Sequence, residues 1–325
     1  MLKLSFLVVP ISFILGLWWY LYENEKLPPQ LTPKPRVLHV LSQPSTVSHQ
    51  FLELFSTQYE VQIKHIETKD DNEFFKILEN DTKNIDVIFL KSFHLERTLQ
   101  VCDVYELNSK TVPNIENISP DFIIEASSYI KFAPIAWGVN GFVINTKEIS
   151  PPLSLKSILS TKKIKIALSP DFNELLLTTI KIDERIPDWL IEKKYDLVRT
   201  EINKLSKQVL IEEGDTFENL LKGDISVKQT TNGQAANFLA QNKDYKFITA
   251  IENSTLWQDL LAIPKDSPSP DLAQKLVNFA LSHDGNLKII NSGDKASPLK
   301  SSAEAKDLLP EKKASDLRHL VISEI

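Results

Sequence analysis

The chain carries a single cysteine, Cys102, in 325 residues. That excludes an internal disulfide and a Cys-rich metal site, and Cys102 reads as a small buried apolar residue. The six histidines, at positions 39, 49, 65, 94, 283 and 319, include no pair at ligand spacing, so no metal site is expected. Glycine is scarce, with eight residues, and none builds a phosphate-cradling loop or a Gly-x-Ser-x-Gly elbow. Basic charge is short as well. Lys and Arg total 37 against 43 Asp and Glu, for a net charge of −6 and a pI near 5.6. This balance argues against a nucleic-acid partner and suits capture of a cation. Composition leaves an acid-pair glycosidase open, but no motif supports one. The chain is read as a non-enzyme without cofactor.

What is present begins with the N-terminus. No residue from Leu4 to Tyr22 is charged, and Trp18, Trp19, Tyr20 and Tyr22 crowd its far end. The run approaches the ~20 residues that cross a bilayer, with aromatics where an interfacial belt would lie. It lacks an Ala-x-Ala-like cleavage site and a cysteine for lipid attachment. Residues 1–24 are therefore read as an uncleaved anchor ahead of a cleaved signal peptide; either exports the rest. Residues 25–36, rich in Pro and charge, read as a tether.

Beyond the tether the length predicts two lobes. Arg36–Leu41, Val61–Ile66 and Ile85–Leu90 have strand patterns, and helices are predicted over Ser48–Tyr59 and Asp71–Leu78. A second set follows. Ala133–Asn145 reads as two apolar strands separated around Gly138 and Gly141, and Ile164–Leu168, Val209–Ile211 and Ile225–Lys228 as further strands. Helices are expected over Ser154–Ser160, Phe172–Ile182, Trp189–Leu205, Phe217–Lys222 and Gln234–Gln241. Such alternation implies largely parallel sheets under helical cover.

The most informative stretch is 257–281. Trp257 and Asp259 sit two apart, so on a strand both project from one face. Leu260–Ile263 and Pro264 follow, and Asp271 is placed to cap a helix bearing Leu272, Leu276, Phe279 and Ala280. An indole beside a carboxylate suits a cation, although spacing alone also fits a surface Trp in an ordinary strand–helix unit. Asp171 and Glu174, three apart, likewise read as a helix cap and its capping-box partner, or as two carboxylates facing one way.

The wording of 257–281 resembles the spermidine/putrescine-binding proteins among the family 1 extracellular solute-binding proteins. The resemblance extends over roughly 36–310, through Asp86–Phe89, Asn108–Asp121, Trp137–Gly141, Ser169–Glu174 and Asn232–Gly233. It implies an α/β two-lobed periplasmic binding protein fold (type II-like). Each lobe would be a mixed or parallel sheet flanked by helices, preceded by one transmembrane helix. Lobe I would take 37–136 plus about 258–300, and lobe II 137–257 plus about 301–325. It further implies ligand contacts from Asp171, Glu174, Trp257 and Asp259, with Gln43, Ser92, Phe93 and Thr231 at matching cleft positions.

Departures accompany the match. Gln43 stands where an aromatic wall is expected, Lys91 lies near the cleft, and Thr231 replaces an indole. Relatives that bind ferric iron use adjacent tyrosines, which this chain lacks. The implied function is a periplasmic component of an ABC importer. It would be a monomer, held to the membrane by residues 4–22, that closes on a polyamine-like ligand and meets a permease. The alternatives are a pocket-degenerate tethered sensor or envelope-complex partner. A third is a binder of a small anion held by Lys91 and the helix start at Thr230–Gly233.

Overall fold

The computed structural model describes residues 15–16, 18–20, 36–123, 130–151, 154–161, 164–170, 172–183, 185–186, 194–211, 217–250, 256–291 and 295–300. Two compact units are present, Met1–Arg36 and Val37–Ile325. Among the described residues of the first, Leu15, Trp18, Trp19 and Tyr20 are exposed. No described helix is long and apolar enough to cross a membrane. The anchor expected over 4–22 and the tether lie almost wholly outside the described residues.

The second unit opens with the alternation read from the sequence: β1 (Arg36–Ser42), α1 (His49–Tyr59), β2 (Val61–Glu67), α2 (Asp71–Asp81), β3 (Val87–Lys91) and α3 (Leu95–Val101). Ser48 caps α1, its hydroxyl accepting from Phe51 N at 3.1 Å. This satisfies an amide that has no partner within the helix. Phe51, Leu52 and Phe55 then fall on the buried face.

The central element is β4 (Ala133–Asn145). The expected break at its glycines does not occur, and one strand of 13 residues runs through both. The glycines make room instead. A Cβ at Gly138 would lie 2.2 Å from the Trp257 ring, and one at Gly141 2.4 Å from the Phe247 ring. Along β4 the partner changes. Ala133–Val139 pairs with β9 (Leu256–Ala262), whereas Asn140–Ile144 pairs with β7 (Val227–Thr231), both antiparallel.

The remaining elements are α4 (Leu155–Ser160), β5 (Ile166–Leu168), α5 (Phe172–Ile182), α6 (Tyr195–Gln208), β6 (Leu210–Ile211), α7 (Glu218–Lys222), α8 (Asn232–Gln241), β8 (Tyr245–Ile248), α9 (Pro270–Ala280) and α10 (His283–Ile290). The expected start of α6 at Trp189 lies outside the described residues. Sheet order is β2-β1-β3-β9-β4-β7-β5-β6, with β8 also on β4. β1 and β3 are parallel, as are β5 with β6 and with β7.

Each half of this sheet is covered on both faces, because alternate residues of a buried strand point oppositely. Val87 and Phe89 join a core with α1 and α9, where Phe51 and Phe279 stack at 5.4 Å. Ile88 and Leu90 face Phe74, Phe75 and Leu78. In the other half Phe142, Ile144, Ile166 and Leu168 join one core, and Val143 and Ala167 another. The N-cap of α9 is Ser269, with Pro270 first in the helix. The expected cap Asp271 falls in the first turn, because proline, which lacks an N–H, takes the opening position.

Adding one methyl at Gly138 tests the close approach. Gly138→Ala is expected to lower stability by about 1–3 kcal/mol through overpacking against the indole. In a Trp257→Ala background the penalty shrinks. Urea unfolding of the two single variants and the double variant measures both effects.

Candidate functional site

In open α/β sheets, ligands bind beyond the carboxyl ends of parallel strands, and the candidate residues gather there. Gln43 follows β1, Ser92 and Phe93 follow β3, Glu174 sits in the first turn of α5 after β5, and Thr231 ends β7. β9 runs antiparallel to β3, so its early residues Trp257 and Asp259 lie beside the β3 terminus. Asp171 lies outside the described residues.

Hydrogen bonds join these positions. Trp257 Nε1 donates to Asn140 Oδ1 at 3.0 Å, and Asn140 Nδ2 donates to Glu174 Oε1. Gln229 Nε2 lies 3.5 Å from the other Glu174 oxygen, and its Oε1 accepts from Ser169 N at 3.1 Å. The indole and Glu174 thus share one amide, and each comes from a different half of the sheet. Thr231 pairs with Asn140 across the ladder and caps α8 through a capping box with Gln234. Its hydroxyl therefore serves the helix.

The β1–β3 side is equally interlocked. Gln43 is fully buried. Its Nε2 donates to Asp71 Oδ1 at 2.7 Å, and its Oε1 accepts from Lys91 N at 2.7 Å. His94 lies 2.8 Å from the second Asp71 oxygen, and this hydrogen bond holds the Asp71 carboxyl below its ordinary range. Ser92 Oγ accepts from Gln258 N at 3.1 Å. Phe93 is exposed, and Lys91 Nζ sits 5.8 Å from its ring centre.

Asp259 is 2% exposed and faces Lys91 across the β3–β9 ladder. Its Oδ2 lies 2.5 Å from Lys295 Nζ, and Lys295 also donates to the Ser45 carbonyl. Burial pushes the Asp259 carboxyl upward in pKa, and the Lys295 and Lys91 ammoniums oppose that shift. Two buried polar atoms at the crossing, Asn232 Nδ2 and Gln258 Oε1, have no hydrogen-bond partner among the described residues.

Sequence reasoning missed Asn140, Gln229, Asp71 and Lys295 as members of this constellation. Asn140 was visible inside the Trp137–Gly141 crossing, but as a connector. Lys295 carried no local signal. No cluster of three or more metal-ligating side chains occurs among the described residues. Cys102 is buried, which pushes its thiol up to about 11 and leaves it unreactive.

The α/β sheet of this order, with polar side chains from both halves meeting at the strand ends, has the periplasmic binding protein fold. The comparisons agree with the resemblance read from the sequence. No family model matches the chain. The spermidine/putrescine-binding periplasmic protein of Salmonella typhimurium is 20% identical over 61% of this chain, and the match spans 59% of that relative's length. A putative spermidine/putrescine ABC transporter structure from Listeria monocytogenes superposes with a TM-score of 0.64 and 19% identity. It covers 87% of this chain and 88% of that one. An iron-bound HitA structure from Pseudomonas aeruginosa gives 0.64 at 17% identity, covering 87% and 95%. The chain has their fold and is similar to polyamine-binding periplasmic proteins.

The Asp71 bond carries a pH signature. A carboxyl lowered on folding adds stability that is complete above its unfolded pKa and is lost as pH falls through the folded value. The stability difference between wild type and Asp71→Asn should therefore shrink as pH falls below about 4. Urea midpoints measured on either side of that pH check the sign.

Proposed function

We propose that the chain is the solute-binding component of an ABC importer. It takes a small cationic, polyamine-like solute between two α/β lobes that close by hinge motion and then meets a membrane permease. The observation that carries this reading is the Trp257–Asn140–Glu174 network, which places an indole and a carboxylate from the two halves on one shared amide. An ammonium gains from both, through cation–π attraction and charge-assisted hydrogen bonding. The names of the similar proteins support the same class of solute.

Asp171 is proposed as a further carboxylate, Ser92 and Phe93 as the lining at β3, Gln43 as the opposite wall, and Thr231 as the floor beside Asn140. Asp259 belongs to the same wall, with its charge shared by Lys295. The lobes are proposed as 37–136 plus about 258–300, and 137–257 plus about 301–325. The body is exported and held at the membrane by residues 1–24 through the tether over 25–36.

A second reading draws on the internal commitments of the site. Gln43 uses both ends of its amide, Ser92 Oγ is occupied by a backbone N–H, and Asp259 is paired. These favour a tethered sensor or envelope partner that keeps the fold without import. Lys91 and the start of α8 would serve it if the ligand were an anion.

Calorimetry against amines, amino acids and anions at two salt concentrations tests the choice. Binding of an amine, weakened about tenfold or more by Trp257→Ala and by Glu174→Gln, is the expected result. Amine binding that survives both substitutions places the site elsewhere. Heat only from anions, fading with salt, selects the anion form of the second reading.

A further inference from the structure

Lys295 belongs to a short stretch, 295–300, that returns to the sheet after α10. Trp137 and Ala296 exchange backbone hydrogen bonds at 2.9 Å in both directions, and Trp137 Nε1 donates to the Ser297 carbonyl at 3.0 Å. Ser297 Oγ in turn donates to Asn286 Oδ1. These bonds hold the stretch in register against β4, so the Lys295 side chain is delivered to one place.

That place is the Asp259 carboxylate, reached across the sheet face that also bears Trp257. The Lys295 side chain is 10% exposed, against 3% for its partner. Its ammonium is held from two sides, by Asp259 and by the Ser45 carbonyl. Lys91, directly opposite Asp259 on β3, adds a second positive charge on the same face. A cationic ligand that extends past the indole toward Asp259 therefore meets a carboxylate already neutralised, beside two ammonium groups. A buried carboxylate gains from one such partner, and a further cation in the same dry site adds repulsion without a new acceptor.

We infer that Lys295 is a specificity-determining residue: it fills, from within the chain, one ammonium position of the site, so that the protein selects ligands carrying one ammonium group over diamines and triamines. The inference rests on the cation-binding reading of the Trp257–Glu174 network. It narrows the solute class from polyamines to singly charged amines of comparable length. The ligand's cation goes to the indole and Glu174, and its other end lies toward Lys295 and Lys91 without a charge of its own.

The experiment is calorimetry of the full chain with butylamine, putrescine and spermidine, on wild type, Lys295→Met, Lys295→Gln and Lys295→Arg. In wild type butylamine is expected to bind about tenfold more tightly than putrescine or spermidine, since a second ammonium group meets Lys295 and Lys91 beside an Asp259 that is already paired. Lys295→Met should bind putrescine about tenfold or more tightly than wild type does, with butylamine unchanged, because Asp259 becomes available. Lys295→Gln gives the same ranking if the Met variant fails to fold. Lys295→Arg should keep the wild-type ranking, since it restores the cation. Wild type that already prefers putrescine over butylamine by tenfold overturns the inference while leaving the cation reading intact. So does unchanged putrescine affinity in both neutral variants. Absence of amine binding in every protein overturns the cation reading, and the inference with it.

Discussion

The partner change along β4 is the constraint on which the rest of this structure depends. A strand that leaves one neighbour for another exposes backbone groups at the switch, and a buried amide without an acceptor is costly. Here the switch falls between Val139 and Asn140. The Val139 amide is taken by the side chain of Asn232, at 2.9 Å, from the first turn of α8. The junction between the two halves is thus closed by a side chain, and Asn232 is 3% exposed. The next residue, Asn140, turns its own amide to Trp257 and Glu174. Joining the halves and forming the site are accomplished within two consecutive residues.

The two ends of β3 meet their buried carboxylates differently. Asp259 and Asp86 are both buried, and both have charged or hydrogen-bonded partners. Asp86 accepts from His39 N, Ser267 Oγ and Ser269 N, each at 2.8 Å, and so fastens β1 and the start of α9 to the base of β3. Asp259 has an ammonium in place of such amides. Neutral donors stabilise a carboxylate while leaving its charge, whereas a buried cation cancels the charge and the field that a ligand would sense. The same residue type therefore fastens the fold at one end of β3 and is electrically silenced at the other.

Much of the first half was legible because its elements obey simple periods. α1 begins after a serine cap, and β2 alternates as a one-sided strand should. The reading failed where a residue's role depended on something distant. Gly138 and Gly141 looked like breaks, yet their hydrogens admit the rings of Trp257 and Phe247, which are remote in sequence. Trp257 and Glu174 were recognisable through the family wording, and the structure links them. Asn140 was hidden in plain view, because a short polar residue between strands ordinarily marks a turn. Lys295 was illegible for a stronger reason. Its pairing with Asp259 follows from the backbone bridge at Ala296 and Trp137, and register of that kind leaves no local trace in a sequence.

This division of roles also bears on how the site keeps its geometry. Asn140, Trp257 and Asp259 stand on paired strands, where backbone hydrogen bonds fix their directions. The residues after the parallel strands lie in connections, which are usually the mobile part of an α/β protein. Side chains restrain those connections here. The Gln43 amide ties the loop after β1 to Lys91 N and Asp71, Ser92 Oγ holds β9 through Gln258 N, and Gln229 holds the Ser169 amide. Each restraint links a loop to a strand or a helix start, so the walls of the candidate site are held by the chain itself. Preorganisation of this kind lowers the ordering cost of binding. In the cation-binding reading proposed above, a change of ligand class would require little movement of the backbone: exchanging the ion that faces Asp259 would be enough, and in this chain that ion is Lys295.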